Sequence, residues 1–274
     1  MELIRVVVNG ALGRMGREVT KAVVREPGLK LVGAVEKEVT QQYLPLTETL
    51  ELVPFSSDLG SLLKRCHADV VVDFTNPEAS MKAAGIAIGQ KVNMVIGTTG
   101  VSDEDLADIE RLCLAHDVGA VVVPNFSLGA ALLIHLSSIA AGFFEHAEII
   151  ERHHDERAEV PSGTALATAE AMSQARGKSF AYPEGYRDTL SDARGERLDG
   201  IAIHSLRLPG FMSGQEAVFS GAGEVLSLCH SATSTECYIP GTILAIREVT
   251  KRKGLTRGLD ALLGLQERSW KDSA

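Results

Sequence analysis

The densest group of side chains able to do chemistry lies between Glu148 and Leu166, in the run EIIERHHDERAEVPSGTAL. His153 and His154 can move protons near neutral pH, and Arg157 brings a fixed positive charge. Ser162, Gly163 and Thr164 stand just before an alanine-rich helical run, Ala165 to Ala175. A helix N-terminus presents N–H groups and the positive end of a dipole, so this order of residues makes a place for a carboxylate beside a proton source. Taken alone, the segment also reads as a surface loop with an ordinary N-cap. No metal is expected, because adjacent histidines point apart and no third ligand is in evidence.

A second pattern carries binding chemistry. The loop GALGRMG, with Gly10, Ala11, Leu12, Gly13, Arg14 and Met15, follows an apolar strand, Leu3 to Val8, and opens a helical run. Glycines there allow a tight turn and let backbone N–H groups approach a pyrophosphate at a helix N-terminus. Glu36 comes 20 positions after Gly16, at the tip of a second strand, Leu29 to Val35, where an acid accepts ribose hydroxyls. The adjacent Lys37 can neutralise a 2′-phosphate, so both NADH and NADPH are expected to bind. A glycine turn alone is weak evidence; the strand, helix and acid around it make the dinucleotide reading strong.

The elements that must position these residues alternate through the first half. Strands are expected at Asp69–Phe74, Val92–Ile96 and Ala120–Val123, with helices started by Thr75-Asn76-Pro77-Glu78 and by Ser102-Asp103-Glu104-Asp105. Strands separated by helices imply right-handed crossovers and a parallel sheet. Ligands bind at the carboxyl edge of such sheets, which is where Gly97, Thr98 and Thr99 and the loop Val123, Pro124, Asn125 and Phe126 fall. Leu128 to Phe144 reads as a buried helix. After Ile149 the rhythm changes. Glu148–Arg152 is a strand, Ile201–Leu208, Glu216–Ser220 and Val225–His230 look like antiparallel strands, and helices return at Pro240–Lys253 and Thr256–Leu265 with Gly254 as a C-cap. The fold class is therefore α/β: a Rossmann-like parallel-sheet nucleotide domain, residues 1–126 and 240–274, with a second α+β substrate and oligomerisation domain, residues 127–239. The tail after Gln266 is expected to be mobile.

Composition removes other classes. A net charge of -9 argues against nucleic acid or an anionic membrane surface as the main partner. No secretory signal opens the chain and no apolar run is long enough to span a bilayer, so a cytoplasmic protein is expected. The four cysteines, Cys66, Cys113, Cys229 and Cys237, lack C-x-x-C pairing and read as buried reduced thiols.

GxxGRMG at Gly10–Gly16, DFTxPE at Asp73–Glu78, GTTG at Gly97–Gly100, PNFS at Pro124–Ser127 and HHxxxxxxPSGTA at His153–Ala165 occur in one order along the chain. In them the sequence resembles the 4-hydroxy-tetrahydrodipicolinate reductases of lysine and diaminopimelate biosynthesis, over nearly its whole length. The resemblance implies that Gly10 to Met15, Gly97 to Thr99 and Val123 to Phe126 contact the dinucleotide, with Glu36 on the adenosine ribose. It implies that His153 serves in proton transfer, and that His154, Gly163 and Thr164 hold the carboxylates of a small dicarboxylate substrate. A homotetramer is implied as well. Arg157 replaces the lysine regarded as the family's proton donor, and a guanidinium donates protons poorly. Glu159-Val160 replaces Asp-Ala, Gly214 stands at a histidine position, and Thr235 at an arginine position. These departures leave two further readings open: a paralogous reductase of another small cyclic or imine acid, and a dinucleotide-binding protein without turnover.

Overall fold

Val6, Val7 and Val8 are wholly buried in the middle of β1 (Ile4–Asn9). Branching at Cβ crowds a helix but suits a pleat covered on both faces. In this computed structural model, which describes residues 3–46, 51–182 and 194–265, ten further elements follow before residue 123. They are α1 (Arg14–Arg25), β2 (Leu29–Val35), β3 (Tyr43–Pro45), β4 (Leu52–Ser56), α2 (Leu59–Cys66), β5 (Val70–Asp73), α3 (Pro77–Gly89), β6 (Asn93–Ile96), α4 (Asp103–His116) and β7 (Gly119–Val122). Next come α5 (Leu128–Ala141), β8 (His146–His153), α6 (Gly163–Arg176), β9 (Glu196–Leu198), β10 (Ile201–Arg207), β11 (Ser213–Gly221) and β12 (Glu224–Ala232). A 3-10 turn at Thr235–Tyr238, α7 (Ile239–Val249), β13 (Gly254–Arg257) and α8 (Leu259–Leu263) complete the described chain.

Two units result. The first holds residues up to 126 and 238–264, the second 127–237 together with Leu265. The tail after Gln266 lies outside the described residues.

The first unit is an eight-stranded sheet in the order β13-β7-β6-β5-β1-β2-β4-β3. All its pairs are parallel except β3 with β4. The helix starts follow their local chemistry. Asn76 caps α3 with Pro77 in the first turn, and Ser102 with Asp105 forms a reciprocal capping box on α4. The pieces β3, β4 and α2 had no clear sequence signal, since β4 is short and carries Pro54.

One expected helix is partly a strand. Gly254 does not cap α7, which ends at Val249; it opens β13, whose residues pair in parallel with Gly119–Val122. Only Leu259–Leu263 is helical. The apolar spacing in this segment suits either period, and the free edge of β7 decided in favour of a strand.

The second unit has a five-stranded sheet in the order β12-β11-β8-β10-β9. The late strands are not all antiparallel: β10 runs parallel to β8, while β11 is antiparallel to both β8 and β12. β9 stands between α6 and β10 in the chain and pairs antiparallel with β10, so β10 takes its direction along β8 from the turn that joins it to this edge strand. Nor is α5 buried all round. Ala130, Leu133, Ser137, Ala140 and Ala141 are buried, whereas Leu132 and Leu136 are exposed. The cysteines are not all buried: Cys113 is, Cys66 and Cys237 are half-buried, and Cys229 is exposed on the edge strand β12. Among the described residues no helix is long and apolar enough to cross a membrane.

The start of α1 is the tightest join in the first unit. Gly10 has φ +77°, and a Cβ on the buried Gly16 would lie 1.9 Å from the Gly10 carbonyl oxygen. Gly16→Ala, favourable in an open helix, is therefore expected to destabilise the protein by about 1–3 kcal/mol, read as a lower urea midpoint. An unchanged midpoint would show that the loop relaxes at no cost.

Candidate functional site

At the carboxyl edge of the first unit, α1 has Gly13 at its N-cap and so no side-chain cap, unlike α2 to α6, each of which has one. Its first-turn N–H groups thus face an acceptor from outside the helix, as a pyrophosphate cradle requires. Glu36 follows the end of β2, and its Oε2 accepts from the Leu12 N–H at 2.9 Å while Oε1 accepts from its neighbour, the Lys37 N–H, at 2.9 Å. The expected ribose acid and the glycine loop are thereby in contact. The residues present fit a nicotinamide dinucleotide.

The other loops meet around Asp73. Its carboxylate accepts from Asn9 Nδ2 at 2.5 Å, Thr98 Oγ1 at 2.8 Å and Thr75 Oγ1 at 2.9 Å. Thr98 is buried, whereas Thr99 is exposed. The Val123 N–H donates to the Ile96 carbonyl, and the Phe126 ring packs 5.7 Å from that of Phe74, so both cofactor loops rest on the ends of β5 and β6. Beside them a cavity of about 320 Å³ is lined by Thr98, Thr99, Val101, Val122, Pro124 and Arg257.

In the second unit the hub is Glu151, which the sequence reading passed over. Ala147, Ile149, Glu151 and His153 are buried at alternate positions of β8, so this acid and the expected proton carrier share the core face. Glu151 Oε1 accepts from the Ser162 N–H at 3.2 Å, Ser205 Oγ at 2.6 Å and Arg207 at 2.8 Å. Its Oε2 lies 3.2 Å from His153 Nε2. Burial alone would push the Glu151 carboxyl up, but the adjacent His153 ring and the bonds from Ser162, Ser205 and Arg207 outweigh it and hold the group well below the carboxylate range.

The same carboxylate fixes the start of α6. Ser162 is buried, and its Oγ is used as the N-cap, accepting from the Ala165 N–H at 3.2 Å. Gly163 is exposed and Thr164 half-buried, leaving the first turn to meet a ligand. Gln215, facing Glu151 across the β8–β11 pair, donates to Thr168 Oγ1 at 2.7 Å, and Thr168 Oγ1 donates to the Thr164 carbonyl at 2.8 Å. Arg157 is half-buried and donates to Glu159 at 2.7 Å, and its N–H donates to the His154 carbonyl. The signal for Glu151 was in the strand period: an acid in the same register as Ala147 and Ile149. Ser205, Arg207 and Gln215 carried none, because only strand pairing brings them in.

Comparison with known proteins agrees along the chain. Residues 4–126 match the family profile "Dihydrodipicolinate reductase, N-terminus" and residues 129–263 its C-terminal counterpart. The chain belongs to the dihydrodipicolinate reductase family. A 4-hydroxy-tetrahydrodipicolinate reductase of Dehalococcoides mccartyi is 49% identical over 265 residues, covering 97% of this chain and 100% of that protein. One from Moorella thermoacetica is 44% identical over 262 residues, covering 95% and 98%. The solved structure "Dipicolinate bound Dihydrodipicolinate reductase from Paenisporosarcina sp. TG-14" superposes with a TM-score of 0.85 at 34% identity, covering 94% of this chain and 98% of that one. An amine dehydrogenase from Mycobacterium smegmatis, 17% identical with a TM-score of 0.66, shares the fold alone.

Against the dihydrodipicolinate reductase pattern, Gly214 changes meaning. It pairs with Arg152 on β8 and so lies on the sheet face opposite to Glu151 and His153. The lost histidine is thus not a loss beside the proton carrier.

Glu151 also predicts an acid response. Its carboxyl sits below the ordinary value of 4.5, so its stabilisation is present in full above that pH and is lost as the pH falls through the lower folded-state value. Glu151→Gln should cost about 3 kcal/mol at pH 7, as removal of a buried charged partner does, and should flatten the decline of stability below pH 4.5 in urea unfolding. Parallel pH curves for the two proteins would remove Glu151 from that role.

Proposed function

We propose that the protein catalyses the NADH- or NADPH-dependent reduction of 4-hydroxy-tetrahydrodipicolinate to tetrahydrodipicolinate, the step that serves lysine and diaminopimelate biosynthesis. The observation that supports this most is a histidine backed by a buried carboxylate, which also ties down the helix start that can hold a substrate carboxylate. The dinucleotide supplies a hydride; one proton enters with it and water leaves. His153 gives or relays the proton, oriented by Glu151 at its Nε2. His154, Thr164 and the first-turn N–H groups from Gly163 bind the carboxylates, and Ser162 supports them as the cap. Arg157 clamps a carboxylate when its guanidinium turns from Glu159 to substrate. Gly10, Ala11, Leu12, Gly13, Arg14 and Met15 cradle the pyrophosphate, Glu36 and Lys37 meet the adenosine ribose, and Gly97, Thr98, Thr99 and Val123 to Phe126 meet the nicotinamide end. The need for a reduced dinucleotide favours the cytoplasm.

We infer a homo-oligomer as well, a tetramer by the family resemblance, with the second unit offering a face for the contact. Ile150, Arg152, Glu216 and Val218 share the sheet face away from His153, with an Arg152–Glu216 pair at 2.8 Å that is only about a quarter exposed. A face of this mixed kind suits a symmetric contact with further copies. Val218→Asp should lower the mass measured by light scattering, and an unchanged mass would move the contact elsewhere.

Purified protein given freshly generated 4-hydroxy-tetrahydrodipicolinate with NADH or NADPH is expected to turn over. Arg157→Lys should keep or raise kcat because a titratable donor returns, whereas Arg157→Ala should lower kcat/KM by about tenfold, the loss of a charge-assisted pair. If wild type and Arg157→Lys are both inactive, the substrate is another cyclic or imine acid.

A further inference from the structure

Asp73 is wholly buried at the end of β5, yet all its partners are neutral donors: Asn9 Nδ2, Thr98 Oγ1, and the hydroxyl and N–H of Thr75. Among the described residues no cation pairs with it. Its bonds join the carboxyl ends of β1, β5 and β6. Joining three loops does not require a charge. An asparagine has nearly the same shape and can bond to threonine hydroxyls, and burying an unpaired ion is costly. The negative charge calls for a function of its own.

The strand order indicates one. Glu36 follows β2 and the glycine loop follows β1, so the adenosine and pyrophosphate parts occupy that side. β5 and β6 lie on the other side of β1, at the point where the strand order reverses, which leaves the nicotinamide end over Thr75 and Thr98. Hydride transfer moves one proton and two electrons from the ring to a substrate carbon, and the neutral ring becomes a cation. We propose that Asp73 is a positioning residue for the nicotinamide loops whose buried charge also favours the oxidised, cationic form of the ring over the reduced one. This rests on the dinucleotide reading but not on the identity of the substrate.

The test needs no substrate. Titration calorimetry of wild type and Asp73→Asn with NAD+ and with NADH should show the ratio Kd(NAD+)/Kd(NADH) rising about three- to tenfold in the variant, the scale of one charge acting through partly screened protein. A purely structural role would weaken both forms alike, and an unchanged ratio overturns the proposal. If Asp73→Asn does not fold, the wild type still decides the matter. NAD+ should bind more tightly than ADP-ribose, which lacks the charged ring, and NAD+ binding no tighter than ADP-ribose overturns it. Turnover with the proposed substrate is measured separately, so failure here leaves the reductase reading standing.

Discussion

A buried carboxylate must collect hydrogen-bond donors from wherever the chain can bring them, and in each unit of this protein that demand draws the functional loops together. Asp73 gathers Asn9, Thr75 and Thr98 at the carboxyl ends of three strands. Glu151 gathers Ser162, Ser205 and Arg207 beside His153. In water, neither set of donors would stay in place. In a dry interior an unmet acceptor costs enough that the donors are held, and the loops carrying them are held too.

The two acids are met differently. Glu151 has a cationic partner in Arg207, and that arginine also donates to the Glu159 carbonyl, so the hub reaches the loop that carries Arg157. Asp73 has only neutral donors. The first arrangement fixes geometry around a histidine and a helix start; the second leaves charge over for whatever binds at that edge.

The departures from the family pattern can be weighed by where they fall. Gly214 sits on the face of the second sheet away from Glu151 and His153, and a Cβ there would stand 3.0 Å from the His230 carbonyl oxygen. Arg157 stays in the loop before α6, paired to Glu159, itself one of the departures. The family pattern also has an acid two residues after its lysine, so Glu159 keeps the acid of that spacing and the exchange of lysine for Arg157 is the change of substance. Full-length agreement with curated reductases favours retained chemistry over a reassigned substrate.

Most of the first unit, β3, β4, α2 and β13 apart, was legible from the sequence because its signals are local. Apolar runs with β-branched residues, the caps Asn76 and Ser102, and a glycine loop 20 positions before an acid each depend on neighbours within a few turns of chain. His153, Arg157 and the Ser162-Gly163-Thr164 helix start could be read in the same way. Tertiary structure alone decided what depends on partners far along the chain. It set β10 parallel to β8, because β10 turns back from the edge strand β9, and it made Gly254–Arg257 a strand, because β7 had a free edge. It placed Ser205 and Arg207, more than 50 residues away, on Glu151. Propensity is written residue by residue, but the satisfaction of a buried charge is settled only when distant strands close around it.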